Sequence, residues 1–316
     1  MREAFPLLIE ACQIALVLFA APLLAGWVRA LKCWTQGRTS PGVLQPYRNL
    51  IKLFSKDIVL AHNASWVFRF TPYLLFGSVL MAGAIIPIIS VDLPLSATAD
   101  IIALVALFAI GRFFIALAGM DVGTAFGGMG SSREMMIASL AEPAVLMTTF
   151  TVSLFGHTTS LSEMVRFIGQ QNFFLSPSMV FAAIAFVLTL LAETGRVPVD
   201  NPVTHLELTM IHEGMILEYS GRYLALVEWA GMMKLFIFTS LGVALFVPWG
   251  IPQGDDLMDI PLAVLIMAGK LALVAAGIVL AETGLAKMRI FRVPEFLGTA
   301  FLIATLGMLS HFILEM

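Results

Sequence analysis

The sequence predicts an all-α, polytopic membrane protein with eight transmembrane helices and short amphipathic cytoplasmic helices. Of its 316 residues, 59% are hydrophobic and only 12% are charged, whereas soluble domains carry about 25% charged residues. Eight apolar stretches are long enough to cross about 30 Å of hydrocarbon as helices. We predict spans at 5–28, 66–90, 99–119, 134–156, 177–193, 226–248, 260–282 and 295–314, within a single integral membrane domain over residues 1–316.

The basic residues predict which side of the membrane each loop occupies. Thirteen Lys and Arg residues fall in or beside the loops 29–65, 120–133, 194–225 and 283–294, and only Arg2 and Arg166 fall on the other side. Cytoplasmic loops carry such an excess of Lys and Arg. We therefore expect these four loops to be cytoplasmic and both termini to be external. The first apolar run has no small-residue cleavage site, so we expect it to span the membrane.

The first of these loops contains an amphipathic segment, PYRNLIKLFSKDIVL. Its apolar face comprises Tyr47, Leu50, Ile51, Phe54 and Ile58, and its polar face comprises Arg48, Asn49, Lys52 and Lys56. This pattern predicts a helix that lies along the membrane surface. The basic face either anchors the helix on anionic lipid or docks a cytoplasmic partner, and the sequence leaves both readings open.

A charge near the bilayer centre costs at least about 2.5 kcal/mol unless it is paired or hydrated. We single out seven charged residues inside or at the ends of the predicted spans. They are Arg112, Glu142, Glu193, Glu228, Lys234, Lys270 and Glu282. We expect Arg112, Glu142 and Lys270 to lie deepest in the membrane. Lys234 and Glu228 should lie nearer the cytoplasmic end. Such residues either fix helix packing as buried ion pairs or line a proton or ion path.

The longest polar interruption in the C-terminal two-thirds of the chain is LAETGRVPVDNPVTHLELTMIHEGMILEYSGRY, at 191–223. Its two prolines predict a turn over 196–202, and apolar spacing from Val203 predicts a short amphipathic helix. Glu193 is either a marker of the membrane interface or the mouth of a proton path, with Arg196 as its expected partner. The motif LAETG recurs at 280–284, and both copies end a predicted span with a glycine, as helix C-termini commonly do.

No cofactor is expected in this chain. Cys12 and Cys33 cannot by themselves hold an iron–sulfur cluster or a structural zinc. HEGMI at 212–216 lacks the second histidine of a zinc-protease HExxH motif. His205 and His212 are too far apart along a helix for easy joint metal binding. There is no glycine-rich phosphate loop after a strand and no basic patch suited to nucleic acid.

Three stretches resemble the membrane subunit of respiratory complex I that forms the quinone chamber. AETGRVPVD, followed by HLEL and EYSG, resembles the signature of that family. RTSPGVLQPYRNLIKL resembles its first cytoplasmic loop. SSREMMIASLAEP at 131–143 resembles its third-to-fourth span region, with Arg133 and Glu142 at matching spacing. The resemblance covers nearly the whole chain in the same order.

The departures from this pattern indicate one branch of the family. Val203 and His205 stand where the complex I subunit has two further carboxylates, Val199 replaces the usual Phe, and a longer insert separates Leu208 from Glu218. These changes resemble the related membrane anchor subunit of group 4 membrane-bound [NiFe] hydrogenases, of the hydrogenase-4 and formate hydrogenlyase types. Quinone is not expected, because the acidic motif of the chamber is eroded.

This resemblance implies a non-catalytic anchor and coupling subunit of a complex I-like energy-converting hydrogenase in a prokaryotic cytoplasmic (inner) membrane. The implied partners are hydrogenase large and small subunit-like chains and iron–sulfur subunits, which hold the nickel–iron and iron–sulfur centres. Antiporter-like membrane subunits that move protons or sodium are the other implied partners. Residues expected to couple to or dock the soluble arm are Arg48, Lys52, Arg133, Arg196, Asp200, His205, Glu207, Glu213 and Glu218.

Two alternatives stay open at this point. The first is the quinone-chamber subunit of an NADH:quinone oxidoreductase, which keeps the family and restores quinone chemistry. The second is a stand-alone ion transporter, which the buried charges would serve equally well.

Overall fold

The computed structural model describes residues 4–91, 94–95, 100–170, 176–200, 211–250 and 259–314. The helices are α1 (Ala4–Thr35), α2 (Gln45–Phe54), α3 (Trp66–Ile85), α4 (Ile101–Asp121), α5 (Ala125–Gly156), α6 (Leu161–Gln170), α7 (Pro177–Glu193), α8 (His212–Ile216), α9 (Gly221–Phe246), α10 (Asp259–Gly284) and α11 (Val293–Leu314), the last preceded by a 3-10 turn at Ile290–Arg292. In these ranges the only strand-like pairing is an isolated bridge between Asp100 and Ser160. The predicted all-α class is confirmed.

In the described part of the chain, seven helices are long and apolar enough to cross a membrane: α1, α3, α4, α5, α9, α10 and α11. The predicted span at 177–193 corresponds to α7, an apolar helix of 17 residues, at the lower limit of spanning length. The polytopic membrane fold is therefore confirmed, with seven helices of spanning length in the described residues, and α7 is a shorter apolar helix.

Four of these membrane helices begin at a side-chain N-cap, which satisfies backbone N–H groups that the first turn leaves unpaired. Ser65 caps α3, Asp100 caps α4, Thr124 caps α5 and Ser176 caps α7. The cap at Thr124 changes the predicted layout, because α5 starts nine residues before position 134. The loop expected at 120–133 is therefore almost entirely helical, and only residues 122–124 connect α4 to α5.

We call the end of the bundle that carries α2, α8 and the C-termini of α1, α7 and α10 the basic end. At this end α2 packs against α1 and α9. Leu50 is buried there, and Phe54 makes an edge-on contact with Trp229, with ring centroids 6.1 Å apart.

The predicted helix in this loop forms, but it ends at Phe54 and its apolar face is split. Ile51 is 70% exposed and lies outward with Arg48 and Lys52. The reason is geometric, because only Pro46, Leu50 and Leu53 recur at the spacing that faces α1 and α9.

Glycines let α4, α5 and α8 approach one another to backbone contact. A Cβ on Gly127 would lie 2.1 Å from the carbonyl oxygen of Gly119. A Cβ on Gly130 would lie 2.8 Å from the carbonyl oxygen of Ile211, just before α8. Met215 of α8 fills the space beside Gly119 and Gly130. The α4–α5 hairpin therefore presents a flat surface on which α8 rests.

Gly127→Ala should destabilise the protein, because the new methyl group meets backbone that cannot move independently, and overpacking of this kind costs about 1–3 kcal/mol. The control is Gly128→Ala, the next residue of the same helix, whose Cβ would meet nothing within 4 Å. Gly128→Ala should leave stability unchanged or raise it by up to about 1 kcal/mol. Thermal unfolding of the purified membrane complex measures both, and equal midpoints for the two variants would contradict the close approach.

Candidate functional site

Arg112 of α4 is buried and lies among three carboxylates, of which one is buried and two are partly buried. Its Nε is 3.4 Å from Oε1 of Glu134, and its Nη1 is 3.1 Å from Oε1 of Glu142. Its Nη2 donates a hydrogen bond to Oε2 of Glu193. Glu134 and Glu142 are eight residues apart on α5 and so share one face of that helix. Glu193 comes from the last turn of α7.

Lys234 of α9 completes the group, because its Nζ lies 2.9 Å from the same Oε2 of Glu193. We call these five residues, Arg112, Glu134, Glu142, Glu193 and Lys234, the Arg112 cluster. Arg112 and Glu193 are only 5% and 7% exposed. Three carboxylates face two cations, so one carboxyl can take up and release a proton while Arg112 keeps a charged partner. The surplus of one carboxylate is therefore what allows this group to exchange a proton.

The end of α7 determines where Glu193 lies. Gly195 has a positive φ of 60°. The N–H of Gly195 donates to the carbonyl of Ala192 at 3.1 Å, and the N–H of Arg196 donates to that of Leu191 at 2.9 Å. These are the two hydrogen bonds of a Schellman motif, which ends a helix and turns the chain away. Glu193 therefore stays inside the bundle, while the chain leaves it at Arg196.

Arg196 pairs with the second LAETG motif, and the prediction that it pairs with Glu193 was wrong. Its Nη1 is 2.7 Å from Oε1 of Glu282, and Nζ of Lys32 is 2.7 Å from Oε2 of the same carboxylate. We call Lys32, Arg196 and Glu282 the Glu282 bridge. It joins α1, α10 and the turn after α7 at the basic end. Nearby, Nζ of Lys287 lies 3.3 Å from Oδ1 of Asp200.

Two of the predicted membrane charges lie apart from both groups. Lys270 donates to the backbone carbonyl of Val247 at 2.6 Å, and to that of Trp249, beyond the C-terminal end of α9. Unpaired carbonyls at a helix C-terminus attract a cation, so Lys270 reaches away from Arg112 and Glu142. Glu228 is partly buried on α9 and lies near Glu213 and Arg29, outside the Arg112 cluster.

The residues predicted to couple to a soluble arm occupy varied environments. Arg48, Lys52 and Glu218 are exposed, Arg133 and Glu213 are partly buried, and Asp200 is buried against Lys287. His205 and Glu207 lie outside the described residues, as does most of the amphipathic helix predicted from Val203. In the described residues of this range, α8 at His212–Ile216 begins after the non-helical residue Ile211.

Sequence reasoning missed Glu134 and Lys32 as members of these groups. Glu134 stood at the predicted boundary of a span, and its spacing from Glu142 was the signal that could have placed it on the inner face of a longer helix. Lys32 was used only as one of the basic residues that predict the side of the first loop. The sequence does not show that α1 continues to Thr35 beside the end of α10.

A cavity of about 50 Å³ adjoins the Arg112 cluster. Its polar lining consists of Arg112, Glu134, Lys234 and His212. The remaining walls are apolar side chains of α3, α4 and α9, among them Leu75 and Phe108. Within the described ranges, no group of three or more His, Cys, Asp or Glu residues is placed to hold a metal ion.

Comparisons with known proteins agree with this architecture. The NADH dehydrogenase family profile matches residues 9–313. The chain is 34% identical over 297 residues to formate hydrogenlyase subunit 4 of Escherichia coli (strain K12), covering 94% of this chain and 96% of the relative. It is 30% identical over 305 residues to hydrogenase-4 component C of the same organism, covering 96% of each. It is 25% identical over 259 residues to an NADH-quinone oxidoreductase subunit of Magnetococcus marinus, covering 79% of this chain and 74% of that one.

A solved structure shares the fold. A chain of the membrane-bound sulfane sulfur reductase, an archaeal respiratory membrane complex, aligns with a TM-score of 0.84 at 19% identity, covering 96% of this chain and 98% of that one. The helix bundle and these matches define a membrane subunit of the complex I-like class. The chain belongs to the NADH dehydrogenase family, and the predicted resemblance to its complex I, formate hydrogenlyase and hydrogenase-4 members is confirmed.

Glu193→Gln should destabilise the protein, because it removes the carboxylate that Arg112 and Lys234 share. Removing one partner of a buried ion pair lowers stability by about 3–5 kcal/mol. Adding Lys234→Met to Glu193→Gln removes the lysine that has lost its carboxylate partner. The double variant should therefore recover part of the lost stability. Glu218→Gln, at an exposed carboxylate, serves as the control. Thermal unfolding of the purified complex measures this series, and a double variant no more stable than Glu193→Gln would contradict the pairing.

Proposed function

We propose that this chain is the membrane anchor and coupling subunit of an energy-converting hydrogenase complex. In this proposal it links a cytoplasmic arm, whose chains hold the nickel–iron and iron–sulfur centres, to antiporter-like membrane subunits that move protons or sodium. The basic end faces the cytoplasm of a prokaryotic cell, and both termini face outward across the inner membrane. Both E. coli relatives are named as a subunit or component of a hydrogen-linked system, which supports a role within an assembly.

The observation that carries the proposal is the Arg112 cluster, in which the buried Arg112 and Glu193 contact three partly buried charged side chains. Charges this deep in a membrane protein are costly, and they commonly mark proton or ion pathways. Its carboxylate surplus can bind a proton in one state of the complex and release it in another.

The contacts around α8 provide a route from the basic-end surface to the cluster. α8 rests on the α4–α5 hairpin, which carries Arg112 and Glu134. After α8, the hydroxyl of Tyr219 donates to the carbonyl of Phe68 at 3.0 Å, and burial raises the pKa of that phenol, which keeps it a donor. Ser220 accepts from the N–H of Val59 and donates to its carbonyl, both at 2.8 Å. A docked arm that displaces this segment would therefore move the helices that hold the cluster.

Quinone chemistry stays outside the proposal. The cavity of about 50 Å³ is far smaller than the 300–1,000 Å³ of sites that hold drug-sized ligands. The volume, with its apolar walls and four polar groups, suits a few molecules of the size of water instead. The proposal therefore rests on the Arg112 cluster and not on a ligand in this cavity.

Glu142→Gln should uncouple ion movement from redox chemistry, because a carboxamide keeps the size of the side chain but cannot take up a proton. Ion movement should fall by about tenfold or more, the scale on which loss of a proton-transfer group acts. Hydrogen turnover in the arm should remain within about twofold of wild type, since this chain holds none of the redox centres in the proposal. Inverted membrane vesicles with pH-sensitive and sodium-sensitive dyes measure both quantities in one preparation.

The matched control for this test is Glu163→Gln, at an exposed carboxylate of α6 that accepts a hydrogen bond from Thr158 and lies outside the cluster. It should leave both readings unchanged. Full ion movement in Glu142→Gln and in Glu193→Gln would overturn the coupling role of the cluster.

A further inference from the structure

Beside the cavity at the Arg112 cluster, one buried N–H group lacks a hydrogen-bond partner among the surrounding side chains. The Nε of Arg112 is buried without a hydrogen-bond partner among the described residues. The nearest carboxylate oxygen, Oε1 of Glu134, is 3.4 Å away, and the alignment does not make a hydrogen bond. A buried N–H left unsatisfied costs about 1–3 kcal/mol. The natural partner is water in the adjoining cavity.

The cavity has the properties that hold water. A buried water needs about 10–15 Å³ and two to four polar partners. The cavity has about 50 Å³ and four polar lining side chains, so it has room for roughly three to five water molecules. These waters would connect Arg112 and Glu134 with the polar groups of α8 and α9.

His212 is the one described residue of the segment between α7 and α9 that lines this cavity. The charged groups facing it are Arg112 of α4, Glu134 of α5 and Lys234 of α9, with Glu213 beside it on α8. Its position is fixed by the contact of Ile211 and Met215 with Gly130. An imidazole can receive a proton on one nitrogen and release one from the other, which makes it a common proton shuttle.

We propose that this cavity is a water-filled proton-transfer site in which His212 relays protons between the basic-end solvent and Glu134. The imidazolium of His212 releases an N–H proton to a cavity water, and that water passes a proton to the Glu134 carboxylate. The neutral imidazole then takes a replacement proton from solvent at the basic end. The Glu134 carboxyl next passes its proton to the carboxylate of Glu142, the other α5 member of the Arg112 cluster. The inference rests on the proposed coupling function and names the residue that admits protons to it.

The geometry also makes this relay sensitive to the position of α8. His212 is the first residue of that helix, and hydrogen-bonded proton transfer requires heavy atoms within about 2.6–3.2 Å of each other or joined by one water. A displacement of α8 by the length of one hydrogen bond would break the connection. The arm could therefore open and close proton entry through the segment that carries His212.

The test compares His212→Ala with His212→Gln in the whole complex, in inverted vesicles. His212→Ala should lower redox-driven proton movement by about tenfold or more, while hydrogen turnover and the unfolding midpoint stay near wild type. Added imidazole should restore much of the movement in His212→Ala, because it can enter the space left by the side chain and carry protons. His212→Gln can hydrogen-bond but cannot relay, so it should stay low. The control is His62→Ala, at an exposed histidine of the same end that does not line the cavity.

Each other result overturns the relay. Full proton movement in His212→Ala or in His212→Gln would exclude it. A loss that imidazole does not restore would give His212 a packing role instead, and sodium movement without proton movement in the wild type would exclude a proton site. If Glu142→Gln uncouples the complex while His212→Ala does not, the coupling function stands and only the relay fails.

Discussion

Burial of charge in the membrane is the constraint on which this arrangement of helices depends. The Arg112 cluster takes its five side chains from α4, α5, α7 and α9, and no one of these helices can rotate or slide without separating a buried cation from its carboxylate. The penalty for an unpaired buried charge is several kcal/mol. The cluster therefore fixes the relative depth and rotation of four membrane helices, and the apolar contacts around it follow from that register.

Ion pairs of this kind are a poor way to gain stability alone, because well-packed apolar side chains of similar volume often stabilise as much or more. That comparison favours a functional reason for keeping three glutamates here. The positions of the glutamates in the two LAETG motifs also favour a functional reason. One glutamate holds the Arg112 cluster and the other holds the Glu282 bridge, and the chain from Glu193 to Arg196 joins the two groups directly. A movement of the turn after α7 would reach both groups at once.

Much of the fold could be predicted from the sequence, because apolar stretches predict membrane helices over whole segments. Arg112, Glu142, Glu193 and Lys234 could be singled out by the same logic, as charges inside apolar runs. Their pairing could not, because it depends on how helices far apart in sequence are rotated against one another. Arg196 shows the difficulty, since its closeness to Glu193 in sequence suggested a pair that the Schellman turn prevents. Lys270 lies well inside its span by count, yet its long side chain reaches the carbonyls at the end of α9.

The contact between Lys32 and Glu282 has a consequence for how the protein is made. These residues are separated by 250 positions in the chain, so their ion pair cannot form until every helix from α1 through α10 has been synthesised. Until then Lys32 and Arg196 both lack the carboxylate that joins them. The basic end therefore reaches its final arrangement late in biogenesis, after α10 has entered the bilayer, and a partner that recognises this end would meet a complete surface only then.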